Sequence, residues 1–308
     1  MRIVHVNDMA FVASRLAKAQ RDLGHDAIVV HLPGGPASFN LSLLREARRH
    51  RRIDVLHVHG GIRRSQLSVP YLRKFQANVL VVHYHGSDVR SGTCLHYQSY
   101  ADAQICATPD LLSLLNRSPT SSRWHREGVL RPVWIPNPIE PMPWAPDPPA
   151  RDRVLFGHFP SKPEMKGTDK ILTAFRRAFP HDEAELMVIT GRPHDVALDR
   201  MRECDAIIDQ LTAFGMYGVV STEAMAMGRP VLSSYDPTWF SPLGKCPVVE
   251  LDEFNAVQML RLVAQDRRLR VRLGEEGRAW VAKVHDASRI AERTLALYES
   301  ARLWTEIT

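Results

Sequence analysis

The chain has 308 residues, a length typical of two domains, and 44% of its residues are hydrophobic and 24% charged. This composition excludes a disordered or low-complexity chain. The formal net charge of +6 indicates an anionic partner. Charge alone leaves nucleic acid, an acidic membrane and a phosphorylated small molecule open.

The sequence shows no sign of membrane insertion or export. No apolar run approaches the roughly 18 residues that a bilayer-spanning helix needs. The first residues lack the apolar region and cleavage site of a signal peptide. The four cysteines (Cys94, Cys106, Cys204 and Cys246) are widely spaced and form no C-x-x-C pair. We therefore expect a cytoplasmic protein with reduced thiols and no zinc knuckle.

Short apolar segments alternate with helix-length segments through the first half of the chain. Five segments read as strands: residues 2–6, 27–32, 55–58, 78–83 and 103–107. Between the first two, Val12, Leu16, Ala19 and Leu23 recur at helical spacing before Gly24. Alternation of this kind predicts a parallel sheet covered on both faces.

A proline-rich segment interrupts this pattern. Seven prolines fall between residues 136 and 149. Proline removes a backbone donor and fixes φ, so this density is incompatible with a helix or a central strand. The segment predicts a stiff linker between two domains.

The alternation then resumes in the second half. Predicted strands are residues 154–156, 185–190, 206–208 and 231–233. Predicted helices are residues 168–179, residues near 196–202, a helix from about Val219, and an essentially helical end over 253–304. Two doubly wound α/β halves would place a ligand cleft at the carboxyl ends of their strands.

Several familiar site signatures are absent from the sequence. Asn7 follows the first strand, where G-x-G-x-x-G would mark a nicotinamide dehydrogenase. The chain has no phosphate loop of the G-x-x-x-x-G-K-[ST] type, no G-x-S-x-G elbow and no H-E-x-x-H motif. It also has no D-x-D pair, the metal clamp of many sugar-nucleotide enzymes. A dinucleotide oxidoreductase is therefore disfavoured.

Residues 157–168 form a candidate anion site between a predicted strand and helix. Thr168 can cap the helix, whose exposed amides and positive dipole end favour an anion. Lys166 adds a full positive charge beside them. An ordinary surface lysine next to a loop glycine is the alternative that spacing alone leaves open.

Residues 215–231 form a second candidate site. Gly215 and Gly218 allow the backbone to approach a ligand at a helix N-terminus. Glu223 shares a helix face with apolar side chains, where an unsatisfied carboxylate is costly. Either an ion pair with a neighbouring arginine or a pair of ligand hydroxyls would satisfy it.

These segments resemble the signature of family-4 glycosyltransferases with the GT-B fold. In that family a glycine-rich turn leads into a helix carrying Glu-Ala-Met-Ala-x-Gly-x-Pro-Val, which residues 223–231 match. Residues 166–168 resemble its phosphate-binding loop, residues 83–88 its histidine-glycine motif, and residues 134–138 its interdomain segment. The resemblance covers nearly the whole chain in the same order.

The resemblance implies two Rossmann-like domains facing a cleft, with C-terminal helices. We expect an acceptor domain over residues 1–140, a nucleotide-sugar domain over 150–285, and a helix over 286–308 that packs back toward the first domain.

The sequence departs from the family at three places. Gly215 stands where the family carries the first glutamate of its Glu-x7-Glu pair, so contacts to the transferred sugar must differ. The usual arginine of the phosphate loop is missing, with His158 or Lys162 as its substitutes. Residues 9–11 replace a glycine pair that commonly follows the first strand. We interpret the Gly-x-Tyr-Gly turn as the mark of a variant enzyme branch.

By this resemblance, the chain is expected to move a sugar from a nucleoside diphosphate sugar with retention of configuration. His85, Asp88 and Lys166 are the expected catalytic residues. The expected nucleotide-sugar residues are His158, Ser161, Lys162, Lys166, Gly215, Met216, Tyr217, Gly218, Val219 and Glu223. Cationic side chains and helix amides would stabilise the leaving diphosphate, so no metal and no cofactor are expected.

The acceptor is not specified by the sequence, and a saccharide, a lipid-linked molecule and a small molecule are all open. Five arginines make a basic stretch in the first domain: Arg45, Arg48, Arg49, Arg51 and Arg52. The stretch is either a solvated face or a contact with anionic lipid headgroups at the inner membrane face. No aromatic residues are interleaved with it, which argues against nucleic acid. The alternative function is a non-catalytic nucleotide-sugar-binding subunit that supports a partner enzyme.

Overall fold

The computed structural model describes residues 1–32, 35–49, 52–90, 100–117, 131–143, 151–212 and 216–307. The chain divides into two units. Unit 1 comprises Met1–Pro138 and Ala287–Thr308, and unit 2 comprises Ile139–Asp286. Among the described helices, none combines the length and the apolar character needed to span a membrane.

Unit 1 is built on a six-stranded parallel sheet with the order β2-β1-β3-β4-β5-β6. Its strands are β1 (Arg2–Val6), β2 (Asp26–Val30), β3 (Ile53–His59), β4 (Ala77–Tyr84), β5 (Ala103–Cys106) and β6 (Val133–Trp134). The five strands predicted in this half are confirmed. Strand β6 was not predicted because two residues flanked by Pro132 and Pro136 give no periodic signal.

Helices cover both faces of this sheet. They are α1 (Val12–Asp22), α2 (Pro36–Arg49), α3 (Ser68–Phe75), α4 (Ser87–Arg90), α5 (Pro109–Arg117) and α12 (Ala287–Ile307). The neighbouring residues Ile3 and Val4 lie in different apolar cores because successive strand residues point to opposite faces. Helix α12 buries Ile290 and Tyr298 in the same core as Leu16 of α1, so the end of the chain packs within unit 1.

Unit 2 contains a five-stranded parallel sheet with the order β11-β10-β9-β7-β8. Its strands are β7 (Val154–His158), β8 (Ala184–Val188), β9 (Ala206–Ile208), β10 (Val231–Ser233) and β11 (Val249–Glu250). Its helices are α6 (Pro163–Lys166), α7 (Thr168–Ala178), α8 (His194–Glu203), α9 (Val219–Ala226), α10 (Ala256–Gln265) and α11 (Arg267–Val284). The four strands predicted here and the helical end of the chain are confirmed, and β11 and α6 are additions.

The proline-rich segment is described over residues 136–143, and residues 144–150 lie outside the described part. The described portion forms neither a helix nor a sheet strand, apart from one isolated bridge between Ile139 and Asp286. Missing N–H donors account for this irregular path.

Three of the four cysteines are described. Cys106, Cys204 and Cys246 are buried and unpaired, while Cys94 lies outside the described residues. The structure therefore contains no disulfide among the cysteines that it describes.

Strands β7 and β9 are neighbours in the sheet of unit 2. Because both run in the same direction, the loops that follow them emerge at the same edge. The segment after β7 contains α6 and leads to α7, and the loop that follows β9 leads to α9. This topology brings the two segments that carry the candidate anion-binding residues together.

Candidate functional site

The loop after β7 is clamped onto the loop after β9. The Leu211 N–H donates to the Lys166 carbonyl at 2.9 Å. Gly167, between α6 and α7, has φ 69°, and a Cβ added there would lie 2.3 Å from the Leu211 carbonyl oxygen. Only glycine fits both this conformation and this close approach. The glycine therefore fixes where Lys166 projects.

Lys166 lies beside the N-terminus of α9. A Cβ added at Gly218, the residue that precedes this helix, would lie 2.6 Å from the Nζ of Lys166. The two predicted anion-binding features therefore occupy one place in unit 2. The Lys166 side chain is 18% exposed, so the ammonium group is partly shielded from water.

A carboxylate that the sequence analysis missed joins these two features. Asp209, directly after β9, accepts from the Lys166 Nζ at 2.7 Å and from the Gly218 N–H at 2.5 Å. The Ser221 hydroxyl donates to the same carboxylate at 2.7 Å. Gln210 Oε1 accepts a further hydrogen bond from the Lys166 Nζ at 2.8 Å. The site thus already holds one internal negative charge.

The ionisation of Asp209 is set by two opposing effects. Burial favours the neutral acid, but the Lys166 ammonium and the hydrogen bonds from Ser221 and Gly218 outweigh it. Together they hold the pKa of Asp209 below its ordinary value. Asp209 and Lys166 therefore form an ion pair at neutral pH.

His158, at the end of β7, is fully buried and holds the loop in place. Its Nδ1–H donates to the Ile208 carbonyl at 2.8 Å, and its Nε2 lies 2.9 Å from the Thr168 hydroxyl. Because the carbonyl can only accept, the Thr168 hydroxyl donates to Nε2. Burial lowers the pKa of His158, so the ring is neutral. The expected cationic role of His158 toward a phosphate does not fit this environment, and its contacts position α7 instead.

The other expected residues of the two loops differ in placement. Ser161 and Lys162 are exposed, and Lys162 immediately precedes α6. Val219 is half-buried and is the first residue of α9. Gly215 lies outside the described residues.

Tyr217 and Met216 are packed in the interior of unit 2. The Tyr217 hydroxyl accepts from the Trp280 Nε1–H at 2.8 Å and lies 3.0 Å from the Nε2 of His285, while its ring stacks on Phe240. The Met216 carbonyl accepts from the Gln210 amide at 2.9 Å. If Met216 and Tyr217 contact a ligand, they therefore do so through backbone atoms and not through their side chains.

Glu223, in the second turn of α9, pairs with a histidine that was not predicted. The Nε2 of His194, the first residue of α8, lies 2.8 Å from the Glu223 Oε1. The Glu223 side chain is only 4% exposed. His194 is therefore one protein partner of this carboxylate. A histidine after a short loop gives no sequence signal for this long-range contact.

His85 and Asp88 lie together in the loop after β4 of unit 1. The Asp88 carboxylate accepts from the N–H of His85 at 2.9 Å, of Gly86 at 2.7 Å and of Val89 at 3.0 Å. These contacts shape the loop, so Asp88 positions His85. Burial lowers the pKa of His85 to about 4, against the opposing effect of Asp88, and the ring is neutral at pH 7.

The basic stretch is dispersed over α2 and the start of β3. Arg45 and Arg48 are exposed on α2. Arg49 forms an ion pair with Glu46 at 2.6 Å, and Arg52 lies 3.9 Å from Asp54. Arg51 lies outside the described residues. Within the described part the stretch has the features of a solvated face.

Comparisons with known proteins are informative at the level of structure. No protein-family model and no curated protein sequence matches the chain. Solved structures do match over nearly its full length. An α,α-trehalose-phosphate synthase (UDP-forming) from Burkholderia vietnamiensis is 12% identical, with a TM-score of 0.73 over 97% of this chain and 99% of that one.

Two further structures give the same result. HepE from Anabaena, solved with UDP and glucose, is 13% identical, with a TM-score of 0.66 over 97% of this chain and 100% of that one. A glycosyltransferase from Rickettsia africae is 13% identical, with a TM-score of 0.68 over 97% of this chain and 98% of that one. The chain therefore has the fold of GT-B glycosyltransferases, and the expected fold class is confirmed.

Proposed function

We propose that this chain is a retaining, family-4-like glycosyltransferase that moves a sugar from a nucleoside diphosphate sugar to an acceptor without a required metal. One observation carries the proposal: the Lys166 ammonium lies beside the N-terminus of α9 at Gly218. A full positive charge and the positive end of a helix dipole favour the same anion at this place. A diphosphate supplies that anion.

The chemistry of the leaving group fits these two features. Transfer breaks the bond between the anomeric carbon and a phosphate oxygen, which leaves negative charge on the departing diphosphate. The Lys166 ammonium has three N–H groups, and two of them donate to Asp209 and Gln210. The third supports a contact to a phosphate oxygen. Fixed donors of this kind stabilise charge as it develops, in place of a metal ion.

The nucleoside end of the donor is assigned to Glu223. An ionised carboxylate accepts hydrogen bonds at both oxygens, and ribose presents two hydroxyl donors. His194 orients this carboxylate through its contact with Oε1. A carboxylate held in this way supports recognition of a ribose rather than of an apolar group.

His85 is assigned to the transferred sugar on the family resemblance. Its ring is neutral at pH 7, so it acts as a hydrogen-bonding group and not as a cation. Retaining transfer in this family needs no protein nucleophile, because the leaving phosphate takes the proton of the acceptor hydroxyl.

A panel of UDP-, GDP- and ADP-sugars tests the proposal, with release of nucleoside diphosphate and formation of sugar product as separate measurements. UDP-sugars come first, because HepE was solved with UDP-glucose. We expect one donor to be hydrolysed slowly without acceptor and transferred faster with a saccharide or lipid acceptor. The absence of both binding and turnover across the panel would contradict the proposal.

One observation favours a second candidate, a non-catalytic nucleotide-sugar-binding subunit. The Asp209 carboxylate neutralises Lys166 inside the protein, which weakens the charge available to a leaving group. The same panel separates the two functions. A subunit binds a donor and never consumes it, whether or not an acceptor is present.

A further inference from the structure

Five histidines line one face of the sheet of unit 1. They lie on three adjacent strands and the loop after β4: His5, His57, His59, His83 and His85. Residues two apart on a strand share a face, and the register pairs His5 with His57 and His59 with His83. Four of the five are completely buried, and His85 is half-buried.

Two of these histidines carry buried nitrogen atoms that no group in the described part of the chain satisfies. Both ring nitrogens of His83 and the Nε2 of His57 have no hydrogen-bond partner among the described residues. Buried polar side-chain atoms are normally hydrogen-bonded, so each exception needs an explanation. A ring with two unsatisfied nitrogens points to a ligand that the protein alone does not provide.

A chain of hydrogen bonds fixes the proton positions on two neighbouring rings. The Gln20 amide nitrogen lies 3.3 Å from the Thr294 hydroxyl and 3.2 Å from the Tyr298 hydroxyl, so its carbonyl oxygen faces His5. That oxygen accepts from the His5 Nε2–H at 2.8 Å. The His5 Nδ1 is then an acceptor.

The direction of donation along this chain of hydrogen bonds also fixes the proton position on His59. The His59 Nε2–H donates to the His5 Nδ1 at 3.0 Å. The Nδ1 of His59 therefore presents a lone pair, and it lies 3.1 Å from the Nε2 of His85. A hydrogen bond from the far nitrogen of a metal-binding histidine orients the ring and increases its basicity.

We propose that His59, His83 and His85 bind a divalent transition-metal ion of the zinc class. Their ligand atoms all lie within 4.8 Å of one another. Imidazole suits Zn²⁺ and its neighbours in the first transition row. Three protein nitrogens that leave a fourth position open form a recurrent zinc arrangement.

The protonation states of the three histidines are compatible with metal binding. Burial holds the pKa of His59 and of His83 well below the ordinary value, so both are neutral at pH 7. His85 is neutral as well. Neutral rings offer a lone pair, and the only proton shift that binding needs is that of His85 from Nε2 to Nδ1.

Metal binding requires one local rearrangement. The His83 and His85 rings are stacked, with centroids 4.3 Å apart and planes 26° apart, so their lone pairs do not yet converge. The terminal torsion of histidine is soft, and the unsatisfied nitrogens of His83 lose no protein hydrogen bond when the ring turns. The half-buried His85 provides the side from which an ion enters.

This site shares His85 with the proposed sugar contact but is separate from the proposed leaving-group chemistry, which lies in unit 2 and uses no ion. Its test is a binding measurement that needs no sugar donor, so its failure and that of the proposed function are distinguishable. The full-length chain is freed of metal with EDTA, which is then removed. It is titrated with Zn²⁺ by calorimetry and with Co²⁺ by visible absorption. His83→Ala is the test variant and His181→Ala, an exposed histidine in unit 2, is the control.

We expect one equivalent of Zn²⁺ to bind and Co²⁺ to give the intense visible bands of a four-coordinate, nitrogen-rich site. His83→Ala should lower the affinity for Zn²⁺ at least ten-fold and lose the Co²⁺ bands. His181→Ala should bind both ions as the parent does. Gln20→Met removes the acceptor of the His5 Nε2–H and so breaks the hydrogen-bond chain that orients His59. It should lower the affinity for Zn²⁺ by roughly 10–100-fold. If His83→Ala does not fold, the Gln20→Met variant and the Co²⁺ spectrum of the parent decide whether the site exists. Equal binding by all variants, weak octahedral bands or no binding by the parent would overturn the proposal.

Discussion

The Nζ of Lys166 lies 2.7 Å from the Oδ1 of Asp209, which forms an ion pair at the N-terminus of α9. The lysine side chain is 18% exposed and the aspartate side chain 1%. The carboxylate therefore uses one N–H of Lys166 and the N–H of Gly218, and a phosphate would use the donors that remain. This pair sets both the stability of the loop and the charge that a ligand meets.

Asp209→Asn should lower the free energy of unfolding at pH 7 by about 3 kcal/mol, the lower end of the cost of breaking a buried pair. The amide keeps the volume but leaves the Lys166 ammonium without its counter-charge. Denaturant unfolding measures the change. Asp199→Asn, at an exposed ion pair with Arg202, is the control and should change stability by less than about 1 kcal/mol.

The stabilisation by Asp209 should depend on pH in one direction. Its folded pKa is depressed below the ordinary value of 3.8. Its contribution is therefore complete above pH 3.8 and is lost as pH falls through the folded pKa. The difference between parent and Asp209→Asn should thus be constant from pH 7 to 5 and shrink below pH 4. A difference that grew on acidification would show that the pair does not form.

Glu223→Gln should make the binding free energy of a ribonucleotide less favourable by roughly 1–3 kcal/mol, because one acceptor oxygen becomes a donor amide. A 2′,3′-dideoxy analogue should lose much less. Calorimetric titration of both ligands measures the difference. His194→Ala, which removes the group that orients the carboxylate but keeps both acceptor oxygens, should weaken ribonucleotide binding less than Glu223→Gln does. Equal losses for the two ligands would leave the contact with His194 as the role of Glu223.

Tyr217→Phe should destabilise unit 2 by about 1–3 kcal/mol without changing nucleotide affinity. The substitution removes the acceptor of the buried Trp280 Nε1–H and the partner of His285. Denaturant unfolding and nucleotide titration on the same variant separate the two effects. A loss of nucleotide affinity at unchanged stability would instead place the hydroxyl in the binding site.

Sugar transfer should survive excess EDTA, because the leaving group is assigned to Lys166 and helix amides and not to a metal. The ion proposed at His59, His83 and His85 does not contact the leaving group, and its removal leaves His85 as the neutral ring assigned to the transferred sugar. Initial rates with and without chelator measure the effect. Loss of turnover that Mg²⁺ or Mn²⁺ restores would show that the electrostatic assignment is wrong.

The sequence predicted the fold class because strand and helix periodicities are local. Each of the four strands predicted in unit 2 has a short apolar run, such as Val231–Ser233. Short elements at prolines were missed for the same reason, as with Val133–Trp134. The meeting of Lys166 and Gly218 was also accessible, since both follow parallel strands at one edge of the sheet.

The partners of the predicted residues were not accessible in the same way. Asp209 follows β9 with no local mark of its role, and Tyr217 lies in a glycine-rich turn that resembles a binding loop. Its partners Trp280, in α11, and His285, directly after α11, lie more than sixty residues further along the chain. Charge pairing and core packing of this kind depend on tertiary structure, which a single sequence does not reveal.

The histidine cluster of unit 1 has a sequence signal of its own. His57 and His59, and likewise His83 and His85, are spaced two apart on or next to strands. This spacing places both pairs on one face, since the strands are parallel and adjacent. What the spacing does not give is the chain of hydrogen bonds through His5 and Gln20, which depends on contacts between distant elements.

Titration of UDP, GDP and ADP, and of the matching nucleosides, against Lys166→Ala tests the central claim most directly. The parent should bind one diphosphate, and the variant should lose about 2–3 kcal/mol of that affinity, because a charge-assisted bond is removed and the Asp209 carboxylate is left beside the phosphate. The nucleoside, which has no phosphate, should bind parent and variant alike. Lys170→Ala, at an exposed lysine of α7 that pairs with Glu253, should behave as the parent. Equal affinity of parent and Lys166→Ala for the diphosphate, or equal losses for diphosphate and nucleoside, would contradict the account.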